Sequence, residues 1–209
     1  MSNAQEVAMH KVGGFEPTAP PASLPLGASS QKVMMWIFIV SDALLFLTML
    51  VGYGVARIAS PQWPDSGEVF HLSLIALMTF LLISSSATMG SAVTAAANGD
   101  FSAAKRFILF TVIGGAAFLG MQAYEWSALI GEGVTLTANP WNVPLFGAMF
   151  YLITGFHGTH VLSGLVILLI TVLRIGAGKT TAQGVELAGL YWHFVDLVWV
   201  FIFTLFYLI

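Results

Sequence analysis

Five long apolar runs are separated by short polar links along this chain. The first, over 33–56, reads VMMWIFIVSDALLFLTMLVGYGVA and carries a single charge, Asp42. A link over 57–70 with Pro61, Pro64, Asp65 and Glu68 reads as a loop. The second run, 71–97, holds three successive serines, Ser84, Ser85 and Ser86, small enough for close helix contact or hydrogen bonding across it. The third, 107–129, closes on Gln122, Tyr124, Glu125 and Trp126. The fourth, 144–173, contains TGFHGTHVLSG, and the fifth, 186–208, contains YWHFVD. At about 1.5 Å of rise per residue, each run can cross a hydrocarbon core of ~30 Å as a helix. The pattern predicts an all-α polytopic membrane bundle of five transmembrane helices at 33–209, behind a polar, mobile tail over 1–32 rich in Ala, Pro and Ser. Asn142 and Pro144 predict the start of the fourth helix, a capping side chain followed by proline in the first turn.

Composition supports the membrane reading: 57% of residues are hydrophobic and 8% charged, and the mean hydropathy is +0.87. With a net charge of −3, the chain lacks the basic surface that a nucleic-acid partner requires. The absence of cysteine excludes disulfides, thiolate metal sites, iron–sulfur clusters and covalent haem attachment. Lys11, Lys32, Lys105, Arg106, Arg174 and Lys179 fall on one side of a five-span topology and Arg57 on the other. The positive-inside rule then puts the amino terminus in the cytoplasm and the carboxyl terminus outside, with Trp63, Trp126 and Trp141 near the outer interface. No internal repeat of the kind that builds inverted-repeat transporters is visible.

Ionisable groups inside apolar spans are costly and face partners within the bundle. Counting along each span puts Asp42, His160, His193 and Asp196 in one slab roughly 10–20 Å from the cytoplasmic ends, and Glu125 and His157 farther out, at roughly 24–27 Å. This predicts an inner cluster of the first four and an outer pair of Glu125 with His157. His157 and His160 share a helical face, the geometry of metal or haem ligands or of structural hydrogen bonding. Two histidines so close on one helix cannot both be axial ligands of one haem, which favours the structural reading. Asp42 reads equally as a proton-relay group and as a pairing anchor. Gln122 with Glu125 reads as structural, and Gly155, Gly158 and Gly164 as sites of close helix contact.

VSDALLF in the first span, QAYEW closing the third, TGFHGTHVLSG in the fourth and ELAGLYWHFVDLVWVFIFTLFYL in the fifth resemble, in order and spacing, subunit III of the haem-copper respiratory oxidases. The likeness covers about 33–209. It implies an accessory subunit with no catalytic residue, metal or redox cofactor of its own. Haem and copper then reside in partner subunits that reduce dioxygen to water and pump protons. Subunit I is the direct partner it implies, with subunit II, and with subunit IV and a respiratory supercomplex as open extensions. Structural phospholipids and support of proton uptake and of active-site stability are further implications, as is a bacterial plasma (inner) membrane location in a five-helix form. Asp42 stands where many members carry a carbodiimide-reactive glutamate in an ISE motif, and is one methylene shorter. Glu125 matches the QxxE position, and His157, His160, His193 and Asp196 match the FHGxH and YWHFVD patterns as a buried polar network. Within the family, a quinol oxidase subunit or a protein associated with nitric oxide reductase is the alternative. Outside it stand a proton-coupled transporter, which needs broken helices, and a b-type cytochrome anchor, which needs histidines on facing helices.

Overall fold

The computed structural model describes residues 29–208. The expected tail therefore lies outside the described residues over 1–28, Lys11 included, while 29–32 form the cap and first turn of a helix. In chain order the elements are α1 (Ser30–Ala59), α2 (Ser66–Val69), α3 (Leu72–Ala97), α4 (Phe101–Gly131), α5 (Pro144–Gly176) and α6 (Ala182–Phe203), the last continuing as a π-helical turn over Thr204–Leu208. Among the described residues, five helices are long and apolar enough to cross a membrane, as the hydropathy pattern predicts.

Side-chain caps, rather than hydropathy, set the starts of α1, α2, α4 and α6. Ser29 accepts from the Lys32 amide and starts α1 at Ser30. Asp100 accepts from the Ala103 amide at 2.8 Å, so α4 begins at Phe101 and carries Lys105 and Arg106 within its first turns. Thr181 accepts from the Gly184 amide and starts α6 at Ala182. Asn142 does not cap α5. It adopts φ 56°, in the left-handed region, and Val143 takes the cap position without a side-chain bond. Asn139 holds this link instead, its Nδ2 donating to the Val143 carbonyl at 2.6 Å and its Oδ1 accepting from the Val143 amide at 3.1 Å. The short α2, inside the expected 57–70 loop, is capped by Asp65.

α3 and α4 form a tight antiparallel hairpin through Asn98, Gly99 and Asp100, where Gly99 supplies the φ of +81° that the turn requires. The centre of the bundle is α6, which packs on α1, α3 and α5. In its apolar window 56% of residues are buried, against 22–33% in the other four spans, so α6 is the core and α1, at 22%, the helix least covered by the rest of the chain. Lipid chains are as apolar as leucine, so close packing and internal hydrogen bonds, rather than exclusion from water, hold such helices together.

Trp192 shows how. Its indole N–H donates to Ser85 Oγ of α3 at 3.1 Å, and its ring lies in a slot floored by Gly115 of α4 and Gly164 of α5. A Cβ on Gly164 would stand 3.0 Å from the ring, and one on Gly115 would collide with it. Two turns farther along, Trp199 donates to Thr79 Oγ1 at 3.0 Å. At the end of the bundle beyond α2, Tyr53, Trp63, Phe70, Phe146, Phe150, Phe206 and Tyr207 form a contiguous aromatic cluster. There Ser66 Oγ donates to the Phe206 carbonyl at 2.9 Å, satisfying an oxygen of the π-helical turn.

Candidate functional site

The buried polar residues are distributed over three contacts between helices. In the first, His160 of α5 meets Asp42 of α1, Nε2 to Oδ2 at 3.1 Å, an ion-pair distance without hydrogen-bond alignment. His160 Nδ1 lies 2.8 Å from the Phe156 carbonyl, which can only accept, so Nδ1 carries a proton. The opposite nitrogen faces a carboxylate, and attraction there requires a second proton between Nε2 and Oδ2, carried by either group. The rings of Phe46 and Phe156 pack edge-on against the imidazole and shield the pair. Ser163 Oγ extends the set: it donates to the His160 carbonyl at 2.9 Å and stands 2.6 Å from the Tyr191 hydroxyl of α6. This site joins α1, α5 and α6.

In the second contact, His193 Nδ1 of α6 lies 2.6 Å from Ser86 Oγ of α3, and Asp196, one turn on, faces the same serine. The expected inner cluster is therefore two sites. Tyr191 and Phe194 of α6 turn toward α5 and α1, whereas His193 and Asp196 turn toward α3. Equal depth in a bundle does not bring residues together when the helix between them presents them on different faces.

The third contact is centred on Glu125 of α4. Its Oε2 accepts from Gln122 Nε2 at 3.2 Å and from the Tyr207 hydroxyl at 3.3 Å. His157 is fully buried, but neither ring nitrogen has a protein partner. The imidazole stacks on Trp199 at 5.2 Å between centroids and meets the edge of Phe118. The structure thus does not pair Glu125 with His157. The π-helical turn swings Tyr207 onto the carboxylate, and Trp199 holds the histidine ring flat. A Tyr207→Phe variant should keep the fold and lose about 1 kcal/mol of stability, the typical net value of one such bond. Thermal loss of monodispersity in detergent measures this, and an unchanged midpoint would show that the hydroxyl contributes nothing.

Among the described residues, no three His, Cys, Asp or Glu side chains gather as a metal site requires. His157 and His160 share a helical face, but one packs on Trp199 and the other on Asp42. Sequence reasoning missed Tyr191 with Ser163, Trp192 with Ser85 and Tyr207. The serine run did signal hydrogen bonding across α3, but only packing shows that Ser85 and Ser86 serve different partners.

Two cavities lie at opposite ends of α5. Arg174 and Lys179 line a cavity of about 570 Å³ at the α5–α6 link, with Ile167, Ile170 and Leu187 beside them. An apolar groove of about 650 Å³ lies between α4 and α5 near the opposite end, lined by Trp126, Ile130, Tyr151 and Phe156 among others.

Comparison with known proteins covers the whole membrane domain. The family described as cytochrome c oxidase subunit III matches residues 27–209. The chain is 33% identical over 195 residues to cytochrome c oxidase subunit 3 of Bacillus sp. (strain PS3), covering 92% of both chains. It is 35% identical over 177 residues to the protein of that name from Thermostichus vulcanus, covering 83% of this chain and 84% of the relative. Against the Synechocystis sp. protein of the same name it is 36% identical over 178 residues, covering 83% of this chain and 73% of the relative. With five spans, the sequence motifs in their helices and this match over nearly all the described residues, the chain belongs to the cytochrome c oxidase subunit III family.

Proposed function

We propose that the chain is the non-catalytic accessory subunit III of a proton-pumping terminal oxidase in a bacterial plasma membrane, packing against subunit I and keeping its amino terminus in the cytoplasm. The observation that carries this reading is the family match over residues 27–209, the full membrane domain. The ionisable side chains agree with it: Asp42, His160, Glu125 and His193 engage neighbouring helices of the same chain. The relatives' names favour cytochrome c over a quinol as electron donor. Purification in mild detergent tests the reading. The chain should co-purify with polypeptides that carry haem and copper, and a dinuclear copper site in subunit II would identify cytochrome c as donor. Co-purification with a transport or quinol-oxidising assembly instead would overturn it.

Phospholipid binding is part of the proposal. The cavity at Arg174 and Lys179 offers two cationic side chains beside apolar ones, the arrangement that suits an anionic head group above an acyl chain. The purified complex should retain phospholipid through detergent exchange. Complete delipidation that changed neither subunit association nor turnover lifetime would refute this role.

Asp42 supports proton uptake or the stability of the neighbouring active site rather than the chemistry itself. Asp42→Asn, which keeps a polar group beside His160, should leave the haem content of the complex intact and slow proton uptake or shorten catalytic lifetime. Loss of assembled haem would show the residue to be a structural anchor only.

A further inference from the structure

The central helix α6 is not covered all round. On one side Phe194 packs on Phe46 of α1, and Tyr191 on Phe38; on the other, His193 and Trp199 bond to Ser86 and Thr79 of α3. Between these packed edges runs a strip of α6 that faces outward, with Leu197 56% and Phe201 55% exposed and His193 exposed one turn past the half-buried Leu190. The valley is well defined at the Lys32–Glu186 end, where a cavity of about 470 Å³ has Lys32 of α1 on one wall, Val93 and Ala97 of α3 on the other, and Glu186 of α6 on its floor.

His193 stands eleven residues past the start of α6, or ~16 Å, near the middle of a hydrocarbon core of ~30 Å. Its Nδ1 is bound to Ser86, which leaves Nε2 for whatever lies in the valley. Asp196 Oδ1, a buried atom on the next turn, has no hydrogen-bond partner among the described residues. Acyl chains offer neither donor nor acceptor, and the polar atoms of a phospholipid remain at the interface, too far to reach this depth. The α3 side of the valley is built of small side chains: Ser86 beside His193, and Ala97 with Val93 at the Lys32–Glu186 end. Small residues beside an exposed polar group are what a second helix needs for close approach and a hydrogen bond.

We infer that the α1–α6–α3 valley is an interface for a transmembrane helix of a different subunit, one that presents a hydrogen-bonding side chain to His193. The inference rests on the reading of the chain as a subunit of a larger oxidase and specifies which face meets a partner and by what chemistry.

A photo-crosslinking phenylalanine analogue placed at Leu197, with Ile113 on the exposed face of α4 as the control, tests it in membranes that hold the intact complex. Leu197 should give an adduct with a transmembrane peptide of another subunit, identified by mass spectrometry, and Ile113 should not give that adduct. His193→Leu, at equal chain level on an immunoblot, should lower the yield of the Leu197 adduct about threefold or more, the effect of losing one interhelical hydrogen bond. Adducts with lipid alone, with a second copy of this chain, or equally from Ile113 would overturn the inference. If the chain still co-purifies with the oxidase while Leu197 labels only lipid, the subunit assignment stands and the interface assignment falls. Absence of co-purification overturns both.

Discussion

Replacing Gly115 by valine should destabilise the bundle by ~3 kcal/mol, at the upper end of the usual range for overpacking. The glycine Cα forms the floor under the Trp192 ring, and even one added carbon would collide with that ring and lie 2.9 Å from Leu165 Cδ2. The indole has no room to retreat, because its N–H is bound to Ser85 and its other edge is against Gly164. The strain must therefore pass into the position of α6 and loosen the bond that Trp199 makes to Thr79 two turns away. The expected result is a sharp fall in the thermal midpoint of the detergent-solubilised chain and in its steady-state level. Gly120→Val in the same helix, where an added Cβ meets no atom within 4 Å, should be nearly silent. Equal effects at the two positions would mean that helix propensity, not the Trp192 slot, sets the cost.

Asp42→Leu should cost a similar ~3 kcal/mol, for an electrostatic reason. It removes the acid that faces His160 and leaves a partly buried imidazole, already bound at Nδ1 to the Phe156 carbonyl, with an apolar neighbour at Nε2. The double variant Asp42→Leu with His160→Leu should recover a large part of that loss, since apolar replacement of both members of a buried pair is often close to neutral. The two single changes and the double one form a cycle, and a coupling of ~1 kcal/mol or more is expected for groups in direct contact. Strict additivity of the three midpoints would show that Asp42 and His160 do not interact in the folded protein.

The membrane architecture was legible in the sequence because lipid permits so few solutions: a run of apolar residues long enough to cross must be a helix, and five such runs make a five-helix bundle. Depth was partly legible as well, since counting from the ends correctly brings Asp42 to the level of His160. Azimuth was not. His193 and Tyr191 are two residues apart on α6, yet one bonds to α3 and the other to α5, and which helix lies in which direction is decided by the packing of the whole bundle. Tyr207 was illegible for a further reason. It reaches Glu125 from a π-helical turn, whose wider winding abandons the 3.6-residue period on which any face assignment depends. The Asn142 expectation failed because cap preference is local, whereas Asn139 brackets Val143 through two bonds that fix the loop from four residues away.

The central place of α6 has a consequence for how the protein is made. Helices α1, α3, α4 and α5 precede α6 in the chain, so they leave the ribosome before it. Until α6 is synthesised, the slot formed by Ser85, Gly115 and Gly164 is open, and the glycines and hydroxyls that will receive Trp192 face lipid or the insertion machinery. Assembly of this bundle is therefore a closing step rather than a gradual accretion. A ribosome that stalls in the α5–α6 link releases a chain with four inserted helices and no core, a ready substrate for membrane quality control.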